Sequence, residues 1–349
     1  MMDIARQAGV TKNTVSLALR NDPQIPEKTR ERIRKVADRL GYKKNPIVAH
    51  LMAQLRVGRS PRFQTTLALL NANLDARAFT RHPTVPVYVE GCRLRAAELG
   101  YSLDEFWLHD PALDSPRLNR ILRARNIRGL IVVGLMNERH LPTRFARTWE
   151  MHPAVVTGVR TEDPALSFAC VDHHMLTLKA VENALALGYR RPGLVLDTRI
   201  DHLVDGRFTA GFFMAQRQLP ASRRTRPFYF APEEQGNAAR FKAWLERDKP
   251  DVILSLYNVV RRWIEDAGMK VPRDIAVIQM ERRRTHTEWA GMDQHNDVIG
   301  AAAVDMVIGM IHNNQSGIPL FPRATLIGSS WVDGETCPRR NRSVARTSG

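Results

Sequence analysis

The chain of 349 residues contains only three cysteines, which lie far apart at positions 92, 170 and 337. An odd number of widely spaced cysteines excludes a disulfide framework, and the sequence has no CxxC pair to hold a metal. Free cysteines are typical of a reducing compartment. We therefore expect a cytoplasmic protein, associated with the nucleoid if its partner is DNA.

Long apolar runs are also missing from the sequence. No stretch approaches the roughly 20 apolar residues of a membrane helix, and the first thirty residues lack the apolar core of a signal peptide. We therefore expect no membrane partner, and the missing signal argues against a secreted transport protein.

The motifs of the common enzyme classes are absent as well. The sequence contains no G-x-S-x-G, no P-loop and no H-E-x-x-H. Asp172, His173 and His174 form a metal-like cluster, but adjacent residues at the start of a helix point in different directions. We therefore expect no catalytic residue, no metal and no cofactor, against the alternative of an enzyme on an α/β scaffold.

Positive charge is in excess, and it is concentrated at the two ends of the chain. Residues 1–62 carry 14 Lys and Arg against 5 Asp and Glu, and residues 338–349 carry four Arg and no acid. The 275 residues between them are nearly neutral, with 34 bases and 31 acids. A basic N-terminal part on a neutral body favours a polyanion, most simply nucleic acid, over a basic surface without a partner.

The body of the chain, from about residue 63, alternates short apolar runs with amphipathic helical patterns. The strand-like runs are TTLALLN (65–71), RGLIVVGL (128–135), AVVTGV (154–159), PGLVLD (192–197), DVILSLY (251–257) and DIAVIQM (274–280). The helical patterns include residues 87–101, 174–189 and 301–313. Continuous apolar strands that alternate with helices predict an α/β fold, with parallel sheets covered on both faces. The length is sufficient for two such sheets.

Residues 1–44 contain three short helical patterns that share an apolar face. Ile4, Ala5 and Ala8 mark the first helix, Val15, Ala18 and Leu19 the second, and Ile33, Val36, Ala37 and Leu40 a third at about 28–40. Gly9 can adopt the positive φ of a tight turn, and Thr11 can cap the second helix. Two helices joined by a glycine turn and packed on a third predict a helix-turn-helix.

The second helix would then place its N-terminal residues in the major groove of DNA. Lys12 suits guanine O6 and N7, Asn13 suits adenine N6 and N7, and the aliphatic Leu17 suits a thymine methyl. Two alternatives remain. Lys12 could contact a phosphate instead of a base, and Leu17 could pack on the loop between Asp22 and Ile25.

A fourth short helix follows at residues 45–61. Asn45 is a good N-cap, Pro46 fits the first turn, and the apolar residues recur at helical spacing as Val48, Leu51, Met52 and Leu55. Such a helix is too short to be stable alone in water. A second copy of itself in the minor groove, with an apolar wedge between base pairs, would stabilise it. The alternative is an amphipathic linker helix packed on the body.

The first 45 residues resemble the DNA-binding headpiece of the LacI/GalR family of transcriptional regulators. The matching signs are D-[IV]-A-x-x-A-G-V-[ST]-x-x-T-V-S, then T-R-x-R-[IV], then L-G-Y-x-x-N. The resemblance implies that the second helix reads bases and that Leu51 is the minor-groove leucine of the hinge helix. The predicted DNA-binding residues are Thr11, Lys12, Asn13, Thr14, Ser16, Leu17, Asn45 and Leu51.

The sequence departs from the usual pattern of that family in the headpiece. Leu17 stands where Arg or His is frequent, and Lys44 stands where the hinge often has Pro. Asp3 lies almost at the first residue, so the Ser or Thr that usually caps the first helix has no counterpart. The operator sequence of a relative therefore cannot be transferred to this protein.

The resemblance also implies a body like the periplasmic sugar-binding proteins, with two Rossmann-like subdomains and a ligand between them. We expect a helix-turn-helix domain at 1–44, a hinge at 45–61, a body at 62–336 and a basic, disordered tail at 337–349. Within the body, we expect one subdomain at about 62–158 and 292–319. The other is expected at about 159–291 and 320–336.

Five residues of the body match positions that hold the effector in that family, or end a strand beside them. They are Asn73, Arg207, Asn258, Glu281 and Gln294. The acids of the family pattern are altered here, because Val259 and Glu281 stand where Asp is usual, and one extra residue separates Arg207 from the following glycine. Structural alternatives are a helix cap for Asn258, an ion pair with Arg282 or Arg283 for Glu281, and a bridge at the hinge for Gln294.

The residues together predict a sequence-specific transcriptional regulator. We expect a repressor that binds a near-palindromic operator in double-stranded DNA as a homodimer. A small molecule, a sugar or a derivative of one, would control that binding. The alternative is a DNA-binding protein whose body has lost its ligand.

Overall fold

The computed structural model describes residues 2–19, 22–40 and 65–340. Three helices form the N-terminal headpiece: α1 (Met2–Ala8), α2 (Lys12–Ala18) and α3 (Glu27–Arg39). The expected hinge, residues 45–61, lies outside the described residues. Within the described ranges, no helix has the length and apolarity needed to cross a membrane.

The headpiece packs around the apolar face that the sequence predicts. Its buried cluster consists of Ile4, Ala5, Ala8, Val15, Ala18, Ile33, Val36 and Ala37. Gly9 joins α1 to α2 with φ +62°, a left-handed conformation that glycine adopts without strain. The one departure is Leu40, which follows α3 and is exposed rather than buried.

Two six-stranded sheets form the body, and each is the centre of a lobe. The first lobe contains β1 (Thr65–Asn71), β2 (Tyr101–Trp107), β3 (Leu130–Val133), β4 (Ala154–Thr157), β5 (Ser167–Val171) and β11 (Ala324–Ile327), in the order β11-β5-β4-β3-β1-β2. All neighbouring strands of this sheet run parallel. Its helices are α4 (Ala78–Arg81), α5 (Val85–Glu98), α6 (Ser115–Ala124), α7 (Ala146–Met151) and α13 (Asn296–His312).

The second lobe repeats this architecture with one antiparallel edge. Its strands are β6 (Pro192–Asp197), β7 (Phe228–Phe230), β8 (Val252–Ser255), β9 (Ala276–Gln279), β10 (Gly291–Asp293) and β12 (Ser330–Val332), in the order β12-β10-β9-β8-β6-β7. Only β12 runs antiparallel to its neighbour among these described strands. Its helices are α8 (His173–Ala186), α9 (Thr198–Leu203), α10 (Arg207–Gln216), α11 (Asn237–Asp248) and α12 (Val259–Asp266). Short 3₁₀ turns lie at Thr143–Phe145 in the first lobe and Ala221–Arg223 in the second.

The chain passes between the lobes three times in the described body. The passages join β5 to α8, β10 to α13, and β11 to β12. The expected division of the body is therefore wrong for two strands. Residues 167–171 and 324–327 belong to the first sheet, because β5 pairs with β4 and β11 pairs with β5. The first passage thus falls near residue 172, not at residue 159.

The start of the expected tail also differs from the prediction. Residues 337–340 pack on the second lobe, where Cys337 is buried and the guanidinium of Arg340 stacks 4.6 Å from the centre of the Tyr189 ring. Arg340 also donates a hydrogen bond of 3.1 Å to Asp251. A buried cysteine and a paired arginine order this segment despite its basic composition. Residues 341–349 lie outside the described part of the chain.

A close helix crossing lies within the first lobe. α5 and α13 of the first lobe approach each other at Gly91 and Gly300. A Cβ on Gly300 would lie 2.2 Å from the carbonyl oxygen of Tyr88, so only glycine permits this distance. Cys92 donates a hydrogen bond of 3.3 Å from its Sγ to the Gly300 carbonyl. The crossing places Tyr88 beside the N-terminal end of α13.

Candidate nucleic-acid interface and interlobe site

The N-terminal end of α2 is held by a threonine cap. The Oγ1 of Thr11 accepts a hydrogen bond from the backbone N–H of Thr14, at 3.1 Å, as the sequence predicts for an N-cap. The two threonine hydroxyls are also 2.8 Å apart. The cap fixes the first turn of α2, from which a helix-turn-helix reads DNA.

Leu17 lies on the side of α2 away from the headpiece core. Val15 and Ala18 of the same helix are fully buried, whereas Leu17 is half-buried and is not part of the headpiece cluster. The backbone carbonyl of Leu17 accepts from the N–H of Asp22, at 3.0 Å. This arrangement leaves the leucine partly open to solvent, and its contact with DNA stays a prediction.

For the other predicted DNA contacts, the structure describes either the backbone alone or nothing. Lys12, Asn13 and Ser16 belong to α2, but their side chains lie outside the described part of the structure. Asn45 and Leu51 fall within residues 41–64, which also lie outside it. Their roles stay predictions.

Arg207 lies at the junction of the two lobes. It begins α10 in the second lobe, and its Nη1 donates to the Sγ of Cys170 at the end of β5 in the first lobe, at 3.4 Å. Its Nε donates to the carbonyl of Val204, at 2.8 Å. Its Nη2 is buried and has no hydrogen-bond partner among the described residues. The guanidinium therefore keeps one donor free between the lobes.

His173, the first residue of α8, is the neighbour of Arg207. Its ring packs edge-on against Phe208 with ring centres 4.7 Å apart, and its Nδ1 is buried without a partner in the described structure. Burial lowers the pKa of His173 well below its ordinary value, and the charge of Arg207 lowers it further. The imidazole is therefore neutral at pH 7. Asp172 caps α8 by accepting from the N–H of Met175, at 3.1 Å, which is a structural role for this residue.

Glu281 is engaged by neighbours within the chain. Its Oε1 accepts from the Nδ2 of Asn296, at 3.3 Å, and its Oε2 lies 3.6 Å from the guanidinium of Arg283. The negative charge of Glu281 also acts on Tyr88. Burial raises the pKa of the Tyr88 hydroxyl, and Glu281 and then Cys170 raise it further.

The remaining predicted effector residues, Gln294, Asn258 and Asn73, all form hydrogen bonds within the chain. Gln294 is buried and donates from its Nε2 to the carbonyl of Met280, at 2.9 Å, which ties the end of β10 to the end of β9 within the second lobe. Asn258 precedes α12 without capping it; its Oδ1 accepts from the Nε2 of Gln279, at 2.6 Å. Asn73 donates to the carbonyl of Gly134, at 3.1 Å, which fixes a turn in the first lobe.

The sequence analysis missed a buried carboxylate, Asp197, at the end of β6. Asp197 is buried, caps α9 through the N–H of Arg199, and accepts from the hydroxyl of Tyr257, at 3.1 Å. Its other neighbour is the guanidinium of Arg199, at 3.6 Å. An acid directly after a buried parallel strand was the signal that could have identified it, because ligands bind at the carboxyl ends of such strands.

Ion pairs join the two lobes beside Arg207. Asp205 of the second lobe lies within ion-pair distance of two arginines of the first lobe, Arg139 and Arg160. Arg139 also pairs with Glu162 of its own lobe, at 2.7 Å. Leu203 of α9 is buried in the apolar core of the first lobe. These contacts hold the lobes together along one side of the junction.

Two grooves lie elsewhere on the body. One of about 550 Å³ on the second lobe is lined mainly by α10, including Phe213 and Met214, and another of about 430 Å³ on the first lobe lies around His140 and Arg144. Neither contains a predicted effector residue. Among the described side chains, no group of three or more His, Cys, Asp and Glu could hold a metal ion.

Two parts of the chain match described protein families. Residues 1–45 match the bacterial regulatory proteins of the lacI family, and residues 181–337 match the periplasmic binding protein-like domain. The chain therefore contains a lacI-family helix-turn-helix domain and a periplasmic-binding-protein-like domain. It is 20% identical to the HTH-type transcriptional regulator MalR of Streptococcus pneumoniae over 318 residues, 90% of this chain and 93% of that protein. It is 26% identical to the sucrose operon repressor of Escherichia coli over 290 residues, 80% of this chain and 82% of that protein.

Solved structures of transcriptional regulators share the fold of this chain. The complex of the transcriptional regulator CelR with cellobiose superimposes with a TM-score of 0.59 at 18% identity, covering 95% of this chain and 98% of that one. The lac repressor dimer bound to operator and the anti-inducer ONPF gives 0.55 at 18% identity, covering 96% and 98%. The expected fold, a helix-turn-helix headpiece on a periplasmic-binding-protein-like body, is confirmed.

Proposed function

We propose that this LacI-family regulator binds a near-palindromic operator as a homodimer and represses transcription, and that a sugar or sugar derivative between its lobes controls the binding. The observation that carries the ligand part of the proposal is the Nη2 of Arg207 at the junction of the lobes, which has no hydrogen-bond partner among the described residues. The helix-turn-helix of the same chain supports the DNA-binding part. Relatives that are named for the sucrose operon and for a complex with cellobiose support a sugar-like effector.

The coupling between ligand and DNA follows from the three passages between the lobes. A ligand that contacts both lobes binds one arrangement of them more tightly than another, and it shifts the population towards that arrangement. Arg207, on the second lobe beside Cys170 of the first, is placed to sense that difference. A changed arrangement of the lobes would alter how the two headpieces of a dimer meet the DNA.

Selection of genomic DNA fragments on the purified protein tests the DNA-binding part. We expect recovered fragments to share one near-palindromic site, and the genes beside that site to indicate the effector. Sugars related to those genes should then raise the melting temperature and change the affinity for the site, because a ligand of the folded state stabilises it by RT ln(1 + [L]/Kd). Recovery of unrelated fragments would contradict the proposal.

A ligand-independent regulator is the second candidate. The ion pairs of Asp205 with Arg139 and Arg160, and the contacts of Glu281 with Asn296 and Arg283, support it, because they join or fill the junction without a ligand. Site-specific DNA binding that no small molecule alters, together with an unchanged melting temperature, would favour this candidate over the sensor.

A further inference from the structure

The amino ends of the parallel strands in the first sheet share one edge of the body. We call it the amino edge; it is formed by the first residues of its central and outer strands, Thr65, Leu130, Ala154, Ser167 and Ala324. The chain reaches this edge from the headpiece, because β1 is the first element after residues 41–64. The passages to the second lobe leave β5 and β11 at their carboxyl ends, on the opposite edge. The amino edge is therefore the side of the body to which the DNA-binding headpiece is joined.

Three exposed arginines lie at the amino edge. Arg123 is in the last turn of α6, which ends at this edge, Arg128 is two residues before β3, and Arg323 directly precedes β11. The carbonyl of Gly129 accepts from the N–H of Ala68 in β1, at 3.0 Å. Arg128 therefore lies beside the strand that the chain enters from the headpiece.

The three arginines have no acidic partner within the described residues. Arg128 donates to the Oδ1 of Asn126 at 3.2 Å, and Arg323 donates to the Oε1 of Gln315 at 2.7 Å, so both acceptors are neutral amides. Arg123 lies near His152, two residues before β4. Burial lowers the pKa of His152, and the charge of Arg123 lowers it further. None of these neighbours neutralises a guanidinium.

The acids near the amino edge do not balance these charges. Asp104 of β2 pairs with Arg125 at 2.7 Å, and Glu98 at the end of α5 pairs with Arg95 at 3.0 Å. Glu150, near the end of α7, is exposed and has no ion pair in the described part of the chain. One unpaired acid thus stands against three unpaired arginines, and the edge that faces the headpiece side has an excess of positive charge. Such a surface fits a polyanion.

We propose that the amino edge contacts the phosphate backbone of the DNA that the headpiece holds, through Arg123, Arg128 and Arg323. This inference rests on the proposed operator binding and adds a second DNA-contacting surface, on the body. A guanidinium binds phosphate through two parallel N–H donors. β3 and β11 are three strand spacings apart in the sheet, about 14 Å, so Arg128 and Arg323 would contact separate phosphates. Phosphate contacts carry no sequence information, so the edge adds affinity for any DNA and leaves base recognition to the headpiece.

The dependence of DNA binding on salt tests the proposal. The binding constant of the full chain is measured by fluorescence anisotropy between about 0.05 and 0.2 M salt, on the operator that genomic selection recovers and on a random duplex of the same length. Each phosphate contact that is lost makes the slope of log K against log salt shallower by about 0.9. The double variant Arg123→Gln/Arg128→Gln should therefore lose about 1.8 in slope for a dimer that loses one contact per chain, on both duplexes. Arg323→Gln should change the slope in the same direction.

Two further variants make the test specific. Arg123→Lys/Arg128→Lys keeps both charges and should retain most of the wild-type slope. Arg217→Gln/Arg223→Gln removes two exposed arginines that follow α10 and precede β7, at the edge of the second sheet away from the first lobe. This control should bind like the wild type, although it loses the same charge. The melting temperature without DNA shows whether each variant folds, and we expect it to be unchanged because all these side chains are exposed.

Three outcomes would overturn the proposal. An unchanged salt slope in the folded glutamine variants would show that these arginines do not contact DNA. An equal change in the second-lobe control would assign the effect to the net charge of the protein instead of the amino edge. A lower melting temperature and weaker binding that the lysine variant does not restore would assign the arginines a structural role. Failure of the proposed operator binding is separate, because the wild type would then bind the selected and random duplexes alike.

Discussion

Leu17 is the single residue that we expect to affect the recognition of operator bases most. If its methyl groups lie against a thymine methyl, Leu17→Ala should cost roughly 1–3 kcal/mol at one symmetric pair of operator positions. The dependence of binding on salt should not change, because no phosphate contact is lost. Binding to a panel of single-base operator variants, at two salt concentrations, measures both effects.

Lys12→Ala is the matched comparison for Leu17. A phosphate contact by Lys12 would weaken binding to all sequences alike and reduce the salt slope by about one for each headpiece. An even loss at every position for Leu17→Ala, together with a lower melting temperature of the headpiece, would mean that the leucine packs on the loop between Asp22 and Ile25 instead of contacting DNA.

His173 should make the body less stable in mild acid. Its folded-state pKa lies well below the ordinary value of 6.5, because burial and Arg207 disfavour the charged ring. The unfolded chain therefore binds a proton that the folded chain does not, and stability falls as the pH drops below about 6.5. In urea unfolding, His173→Gln should lose less stability than the wild type between pH 7.5 and 5.5, by roughly 1 kcal/mol. An identical loss in both proteins would show that His173 does not cause the effect.

The crossing of α5 and α13 is the element on which the position of Tyr88 depends. In Gly300→Ala, the new methyl would lie 2.2 Å from the Tyr88 carbonyl oxygen and 2.9 Å from the Cys92 nitrogen. The helices must then separate, and we expect a loss of roughly 1–3 kcal/mol in the free energy of unfolding. Urea unfolding of the full chain measures it.

Gly309→Ala is the control for this substitution, because the residue lies on the same helix and its Cβ would meet nothing within 4 Å. We expect it to stabilise the protein by roughly 0.5–1 kcal/mol, as alanine is the better helix former. Destabilisation of the same size by both substitutions would mean that the helix crossing is not the cause.

The elements of the fold follow from the sequence to different degrees. The continuous apolar runs 65–71 and 192–197 are strands with the predicted ends, since each is buried on both faces. Residues 101–107 escaped notice because β2 is an edge strand whose sequence, YSLDEFW, is neither a continuous apolar run nor a regular alternation of polar and apolar residues. The three-residue strands β7, β10 and β12 are too short for any periodicity. Their pairing is decided by distant partners, not by local sequence.

Local sequence is also insufficient to predict which side chains meet at the junction of the two lobes. Arg207 and Glu281 could be predicted as effector residues because motifs carry them, and their roles stay predictions. The alternative of an ion pair between Glu281 and Arg283 agrees with the distance of 3.6 Å between them. The buried polar atoms of Gln279 and His173 that have no hydrogen-bond partner in the described structure could not be foreseen, because their surroundings depend on where the chain passes between the sheets. The passages are set by sheet pairing, which was wrongly placed for 167–171 and 324–327.

At the scale of the whole molecule, the ion pairs of Asp205 should bias the arrangement of the lobes. Asp205→Asn keeps the shape and tolerates the positive φ of 57° at this position, but it removes the charge that pairs with Arg139 and Arg160. Partly exposed pairs contribute roughly 0–1 kcal/mol each, so the population of a more open arrangement should rise by up to about fivefold per pair. Small-angle X-ray scattering should then give a larger radius of gyration.

Asp305→Asn is the control for the lobe arrangement. It removes an ion pair of 2.8 Å with Arg95 that lies entirely within the first lobe, between α13 and α5. We expect its radius of gyration to equal that of the wild type. If both variants expand alike, or neither does, the pairs of Asp205 do not hold the lobes together.

Assembly of the whole molecule should follow from the small surface that one headpiece offers to DNA. A single α2 can read only a few base pairs, so specific binding needs a second copy on a half-site about one helical turn, or a multiple of it, away. A closed two-fold pair then requires a near-palindromic operator. Light scattering at micromolar concentration should give twice the 39.6 kDa of the chain, and the stoichiometry on operator DNA should be two chains to one duplex. A stable monomer both free and on DNA would exclude this assembly. It would also remove the proposed second copy that supports the hinge at 45–61.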